Sequence, residues 1–491
     1  MATADLKKTY AVIGLARAGV PAARFLAARA ARVIGYDGKP WEELSDEARA
    51  LRESGVELRL GDHQFAGIEE CDTVVLSPGL KIHHEPLRSI VEACEVRGAE
   101  VIGELELAAR HCPAPIIAVT GTKGKSTTVK LITEMLQACG LKALRAGNTG
   151  VPLIAELPNL APDSWAVVEV SSFQLEKAPT FRPKVAVLLN LLADHLDYHP
   201  TLEQYWTTKL KLFANQTEED TAIFNIDDPH VAQLWWHQGR FSDWKASHQS
   251  LWLASSAQPL SGRKDFRSVV YRKRNLLSFF RRPVIQVADI PLRGEHNLSN
   301  VAAAIAAVGI ALFEVTGKPV RAEQRKAMAD AIRNFESLPH RLEIVDKVDG
   351  VTYVNDSQAT IPDAAVRAVE AFPAPVSLIA GGRAKLDTAG AYDALGEAIA
   401  ARVNFLITIG EAAQIISEAA RRAGFDAAKI IDAKTLTNAV AQAKLCTPPG
   451  GTVILSPACA SFDQFSSFED RGVAFRAAVA ELRAHNELPT S

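Results

Sequence analysis

The stretch IIAVTGTKGKSTTVKL, residues 116–131, decides how the chain is read. IIAVT is apolar and β-branched, which predicts a buried strand. From Ser126 onward, Val129, Ile132, Met135 and Leu136 fall on one helical face, and Gly140 stands where a helix would stop. The turn between them, T-G-T-K-G-K-S-T, carries the residues of a phosphate grip. Glycines let backbone N–H groups curl toward anionic oxygens, and the helix N-terminus adds favourable partial charge. Lys125 can reach outer phosphates, and the Ser126 or Thr127 hydroxyl can ligate Mg²⁺. The strict pattern G-x-x-x-x-G-K-[ST] would demand a glycine at position 119, where this chain has Val119. The expectation is a mononucleotide site built from Gly121, Thr122, Lys123, Gly124, Lys125, Ser126 and Thr127.

Around this stretch the chain of 491 residues reads as three α/β blocks, in line with about 150 residues per domain. The first, 1–111, opens with the strand YAVIG, the loop LARAG and a helix through VPAARFLAARA, with Pro21 in its first turn. DTVVLSP and AEVIG follow as strands, and the prolines of AARHCPAPI mark a junction. The second block, 112–336, adds strands at WAVVEV, KVAVLLN and DTAIFNI. Its segment 236–285 is less regular, and the basic run RKDFRSVVYRKRN within it reads as a solvated hairpin rather than a phosphate contact. The third block, 337–491, alternates strands (VTYVND, VSLIAGG, NFLITIG, KIIDA, TVILSPA) with Ala-rich helices, the pattern of a doubly wound parallel sheet.

Composition narrows the classes. Charged residues make up 23%, hydrophobic residues 48%, and the formal net charge is −3, which gives no general reason to expect nucleic acid or an anionic membrane as partner. VAAAIAAVGIALFEV (301–315) is shorter than the roughly 20 apolar residues of a membrane span and reads as a buried helix. The N-terminus runs into a strand with no signal-peptide pattern. The six cysteines lack C-x-x-C spacing, so small core residues in a reducing cytoplasm are expected.

Other candidates lie at strand ends. Gly14 to Gly19 matches the dinucleotide fingerprint except that Ala16 replaces the middle glycine, crowding a pyrophosphate; a nicotinamide site is the weaker reading, and a nucleotide-diphosphate group or plain helix–sheet packing the stronger. Asp37 ends the next strand, where a ribose- or base-reading acid would lie, and Ser77-Pro78-Gly79 forms a further strand-end loop. Glu169, at the end of WAVVEV, and His195, in N-L-L-A-D-H-L-D, converge beside the phosphate loop if the sheet is parallel. Oxygen ligands with one imidazole suit Mg²⁺ better than zinc. Asp194 and Asp197 read as ordinary caps.

These motifs together resemble the Mur ligases, ATP-dependent amide-forming enzymes of peptidoglycan precursor synthesis. E-V-S-S-F-Q-L (169–175), N-L-L-A-D-H-L-D (190–197), G-E-H-N-L-S-N (294–300), L-P-H-R-L-E (338–343), N-D-S-Q-A-T (355–360) and L-S-P-A-C-A-S-F-D-Q-F-S-S-F-E-D-R-G (455–472) follow in that family's order. The last is similar to the branch that adds D-glutamate to UDP-N-acetylmuramoyl-L-alanine. The resemblance implies a Rossmann-like N-terminal domain, a central ATP-binding domain and a Rossmann-like C-terminal domain. It implies a monomeric cytoplasmic enzyme using ATP and a pair of Mg²⁺ ions. Lys125 and Ser126 would hold phosphates and metal, and Glu169 and His195 would be metal ligands. Lys209, which on pattern alone passes for a surface lysine, would be carbamylated and ligate metal. Asn297, Asn300, Arg341 and Asp356 would surround ATP. Asp37, Ser77 and Asn148 would contact the UDP-muramoyl substrate. Lys385, Thr360, Ser461 and Phe468 would form the glutamate pocket, with Lys385 also catalytic. Departures from the family pattern are Gln358 for lysine, Ile361 for asparagine and Lys123 where asparagine is common. They keep an L-glutamate-adding relative open. A folate-extending ligase and a nucleotide-binding regulator without catalysis are further alternatives, which the UDP-type first block and the retained Glu169, His195, Lys209 and Lys385 oppose.

Overall fold

The computed structural model describes residues 8–30, 32–62, 65–195, 198–236, 251–254, 268–273, 275–292, 294–336, 339–384 and 390–486. Lys385, Asp197 and residues 263–267 and 274 of the basic run lie outside them.

Two compact units divide the chain. The first holds residues 1–291 and 296–334 and contains two sheets. Five parallel strands form its smaller sheet, in the order Glu57–Leu60, Arg32–Asp37, Thr9–Ile13, Thr73–Leu76, Glu100–Gly103. The order of strand addition reverses about Thr9–Ile13, and the parallel strands place the loops after Ile13, Asp37 and Leu76 at one carboxyl edge, where open parallel sheets bind ligands. Gly19, which begins the helix Gly19–Ala27, allows its close docking: a Cβ there would lie 1.8 Å from the Gly14 carbonyl oxygen.

The larger sheet has nine strands among the described residues. Seven are parallel: Ser268–Lys273, Leu251–Ala254, Thr221–Asn225, Val185–Leu188, Ile116–Thr120, Ser164–Glu169 and Lys142–Gly147. Leu276–Phe279 and Arg282–Gln286 extend one edge antiparallel. Ser268–Lys273 and Leu276–Phe279 pair antiparallel as expected for the basic run, but Ser268–Lys273 is an inner strand with Val270 buried rather than part of a solvated hairpin. Ile116–Thr120 is central and fully buried, as its β-branched, charge-free sequence requires. The long helix Glu295–Thr316 is apolar and long enough to cross a membrane by composition, but its most apolar stretch is 83% buried, which makes it a core helix.

The second unit holds 292–295 and 335–491 and carries one six-stranded sheet: Glu343–Val348, Val351–Asn355, Thr452–Leu455, Val376–Gly381, Val403–Ile409, Ile430–Lys434. Only the first strand runs antiparallel. All six cysteines are free thiols; Cys71, Cys94 and Cys459 are core residues, whereas Cys112, Cys139 and Cys446 are half-buried.

Candidate active site

Val119 needs no glycine because it is not in the loop. It sits inside the strand Ile116–Thr120, fully buried, paired with Glu169 on one side and Val187 on the other. The turn is only Gly121–Gly124, and the helix Lys125–Ala138 follows at once. Gly124 adopts φ +86°, and a Cβ there would meet the Asn300 Oδ1 at 2.4 Å. The loop therefore packs flush against the first turns of Glu295–Thr316, where Asn300 Nδ2 donates to Asn297 Oδ1 at 3.1 Å.

Asn190, at the end of the adjacent strand, shapes the loop. Its Oδ1 accepts the N–H groups of Thr122 (3.0 Å) and Lys123 (2.8 Å), and its Nδ2 donates to the Lys123 carbonyl (3.0 Å). Thr122 Oγ1 donates to Leu192 O (3.2 Å) and accepts from Leu192 N–H (3.0 Å). The sequence alone assigns Asn190 no role. The available signal was a polar side chain at a strand's carboxyl end beside the glycine turn.

Cations crowd this loop. Lys125 Nζ donates to the carbonyls of Gly121 (2.9 Å) and Thr122 (3.0 Å), and Lys209 Nζ donates to Gly121 O as well (3.0 Å). Lys209 is 1% exposed, so the surface reading its pattern suggested is corrected: the helix Leu202–Leu210 turns it inward, its ammonium 4.5 Å from the Tyr205 ring centre. Burial, then the Lys125 charge, pushes its pKa far below the ordinary lysine value. Asp194 is more than a cap. It accepts the His195 N–H at 2.9 Å and pairs with Lys123 at 3.1 Å. Burial works to raise its pKa, but Lys123 and His195 outweigh it and hold the carboxyl below its usual range.

Glu169 and His195 flank the same loop. Glu169 is 3% exposed, and Thr149 Oγ1 donates to its Oε1 at 2.9 Å. His195, at φ +55°, has its ring 4.9 Å from that of Phe173. Burial depresses the His195 pKa, Asp194 opposes, and Lys209, Lys125 and Lys123 reinforce the depression, so the ring is neutral at pH 7 and offers a lone pair. A buried carboxylate whose described side-chain partner is a hydroxyl, a neutral imidazole and the Ser126 hydroxyl are donor types that suit Mg²⁺, although no cluster of three or more His, Cys, Asp or Glu side chains able to hold a metal occurs among the described residues.

On the smaller sheet, Asp37 braces the first loop: its carboxylate accepts the N–H of Leu15 (2.7 Å) and of Lys39 (3.0 Å). Ser77 Oγ donates to Gly14 O at 2.5 Å. Asn148 follows the strand Lys142–Gly147; its N–H donates to Glu169 O (2.9 Å) and its carbonyl accepts from Arg17. Ser77, Pro78, Gly79, Glu104, Lys177 and Tyr198 are among the residues lining one cleft of this unit.

In the second unit, Asp356 accepts the Leu342 N–H (3.1 Å) and the Ser456 hydroxyl (2.8 Å). Arg341 Nε donates to Gln358 Oε1 at 3.0 Å, so the glutamine at the departing position accepts from a guanidinium that a lysine would repel. The Thr360 N–H donates to Gln358 O. Ser461 is buried, and the Phe468 carbonyl accepts from Ser357 Oγ at 2.8 Å. Arg471, which sequence reading passed over, is the largest fully buried side chain. It donates to Ser357 Oγ (2.9 Å) and to the Ser357 (2.9 Å) and Cys459 (3.1 Å) carbonyls, clamping the N-D-S-Q and C-A-S segments together.

Three family models cover the chain: the Mur ligase MurD-like N-terminal domain over residues 8–103, the Mur ligase middle domain over 119–308, and the Mur ligase glutamate ligase domain over 340–459. The chain is 41% identical over 482 residues to a UDP-N-acetylmuramoylalanine–D-glutamate ligase of Pelotomaculum thermopropionicum, covering 97% of this chain and 98% of that one. The chain belongs to the Mur ligase family. A second relative of the same name, from Geotalea uraniireducens, is 38% identical to this Mur ligase over 97% of its length and 98% of the relative's. Among solved structures, the UDP-N-acetylmuramate-alanine ligase of Thermotoga maritima shares the fold at TM-score 0.56 and 15% identity, covering 97% of this Mur ligase and all of that chain. The MurF ligase of the same organism, solved in complex with ADP, matches at TM-score 0.53 and 15% identity over 84% of this Mur ligase and 96% of its own chain.

Proposed function

We propose that this Mur ligase joins D-glutamate to UDP-N-acetylmuramoyl-L-alanine at the expense of ATP, in the cytoplasm, through an acyl phosphate. The observation that carries the reading is identity of 36–41% along nearly the whole chain to relatives bearing that name. Residues 1–111 would take the UDP-sugar through Asp37, Ser77 and Asn148, and 112–336 would take ATP. Residues 337–491, with Thr360, Ser461, Phe468 and Lys385, would take the amino acid.

A carboxylate does not condense with an amine at neutral pH, so it must first be activated. One carboxylate oxygen of the acceptor attacks the γ-phosphorus of ATP, and the bond to the ADP oxygen breaks. The glutamate amine then attacks the acyl carbon, loses its proton, and inorganic phosphate departs with that oxygen. Lys125 and Lys209 rest on loop carbonyls at the edge of the site, where Lys125 can swing to phosphate oxygens as charge develops. Mg²⁺, when held by Ser126, Glu169, His195 and carbamylated Lys209, would screen the triphosphate and stabilise charge on the transferring group. The depressed pKa of Lys209 supplies the free amine that carbamylation needs: its nitrogen adds to CO₂, a proton leaves, and a buried cation becomes an oxygen anion. Neutral His195 keeps its lone pair available without an added base.

The test is a ligation assay with ATP, Mg²⁺ and UDP-N-acetylmuramoyl-L-alanine, offering D- or L-glutamate and reading product mass. Product with the D form supports the proposal. Product with the L form alone would select the L-glutamate-adding relative, and none with either would refute ligation.

A further inference from the structure

The segment after the strand Val185–Leu188 lies along the phosphate turn, and alternate residues of it reach the turn. Asn190 accepts the N–H groups of Thr122 and Lys123, and Leu192 exchanges two hydrogen bonds with Thr122 Oγ1. Asp194 makes the third contact, and this one is an ion pair, with its Oδ2 3.1 Å from Lys123 Nζ. The other carboxylate oxygen accepts the His195 N–H at 2.9 Å and steadies a histidine held at φ +55°, a left-handed backbone that residues with a Cβ rarely adopt. A backbone requirement therefore fixes an acid beside the turn. The Asp194 side chain is only 15% exposed, so water screens its charge poorly. Lys123 is its nearest basic group; the His195 ring nitrogen lies farther off, at 3.9 Å.

We propose that Lys123 is a charge-cancelling residue, whose ammonium neutralises Asp194 so that a polyanionic nucleotide can occupy a turn that has a carboxylate beside it. The inference rests on the reading of Gly121–Thr127 as the phosphate grip. With Lys123 in place the pair is close to neutral, and the charges of Lys125 and Lys209, both resting on turn carbonyls, are left to the phosphates. Without it, Asp194 sets a negative charge against the triphosphate. Coulomb repulsion falls only as the reciprocal of distance, so the effect needs no contact between Asp194 and the nucleotide. Lys123 acts through Asp194 and is a positioning residue, not a catalytic one.

The experiment is calorimetric titration of the full-length protein with ATP and Mg²⁺ at about pH 7.5, where the carboxylate is ionised. Melting curves confirm that each variant is folded. Lys123→Met and Lys123→Gln lose the cation and should bind ATP about tenfold or more weakly than wild type. Lys123→Arg keeps it and should stay within about threefold. Asp194→Asn keeps an oxygen for the His195 N–H but loses the charge, and should bind ATP at least as tightly as wild type. The double variant Lys123→Met with Asp194→Asn lacks both charges and should return to within about threefold of wild type, although the lysine is still missing. A contact that only braces the turn gives the opposite pattern: Asp194→Asn is itself weakened, and the double variant is no better than Lys123→Met. Either of those results, or neutral Lys123 variants within about threefold of wild type, would overturn the proposal while leaving the phosphate grip intact. If wild type binds no ATP, the grip reading fails and the role of Lys123 with it.

Discussion

Asn190 offers the sharpest perturbation of the nucleotide grip. Replacing it with alanine removes three side-chain hydrogen bonds: two accepted from the Thr122 and Lys123 N–H groups and one donated to the Lys123 carbonyl. At about 0.5–1.5 kcal/mol each, the loss is roughly 2–4 kcal/mol, drawn almost wholly from order in the four-residue turn. The strand and helix on either side keep their own hydrogen bonds, so the protein should still fold. A loop that must then be reordered at binding weakens ATP affinity by at least about 30-fold, the equivalent of about 2 kcal/mol. Asn190→Asp is the informative control. It retains the acceptor for both N–H groups but sets a carboxylate against the Lys123 carbonyl and near the triphosphate, so it should bind ATP no better than the alanine variant. Equilibrium binding of ATP, with circular dichroism to confirm folding, reads the result. An alanine variant whose ATP Kd stays within about twofold of wild type would refute the claim that this side chain shapes the grip.

Other expectations follow from the same geometry. Lys209→Ala should lose ligation and regain part of it with added short carboxylates, which can stand where the carbamate oxygens would; full activity without them would remove the carbamate. Because the His195 pKa lies below the usual 6.5, the Mg²⁺ concentration for half-maximal activity should be flat above that pH and rise only as pH falls through the depressed value. His195→Gln should lack that acid limb, and a limb already present between pH 7 and pH 8 would contradict the reading. Glu104 has its folded pKa about 7 against an ordinary 4.5. Its unfolded form ionises first, so wild type loses stability as pH climbs between those values, by up to about 3 kcal/mol at roughly 1.4 kcal/mol per pH unit. Glu104→Gln should therefore gain over wild type in urea unfolding at pH 8 but not at pH 4.5; equal gains at both would point to packing instead.

How legible these features were in the sequence follows from where each derives its form. The strand Ile116–Thr120 and helix Lys125–Ala138 could be read because both are central and their apolar periodicity is unbroken. Glu57–Leu60 and Lys142–Gly147 were not picked out, since each is a sheet edge whose partly exposed positions admit charges. The opposite edge of the larger sheet, Arg282–Gln286, lies in the stretch that reads as irregular for the same reason. Lys209 and Asn190 mark the limit more plainly. A lysine on a helix and an asparagine after a strand carry no local sign that both reach across to Gly121–Gly124, 88 and about 67 positions away. Lys209 was found only through family resemblance, and Glu104 only once the fold had buried it. The Lys123 departure becomes intelligible through Asp194, whose carboxylate receives the cation that asparagine would lack.

The central claim is that ATP is spent on activating a carboxylate, and isotope transfer tests it most directly. UDP-N-acetylmuramoyl-L-alanine carrying ¹⁸O in its free carboxylate would be ligated to D-glutamate in ordinary water, and the released phosphate analysed by mass. An acyl phosphate requires each phosphate released to carry one carboxylate oxygen, so label should appear in phosphate in step with product. Unlabelled phosphate alongside product would contradict the account.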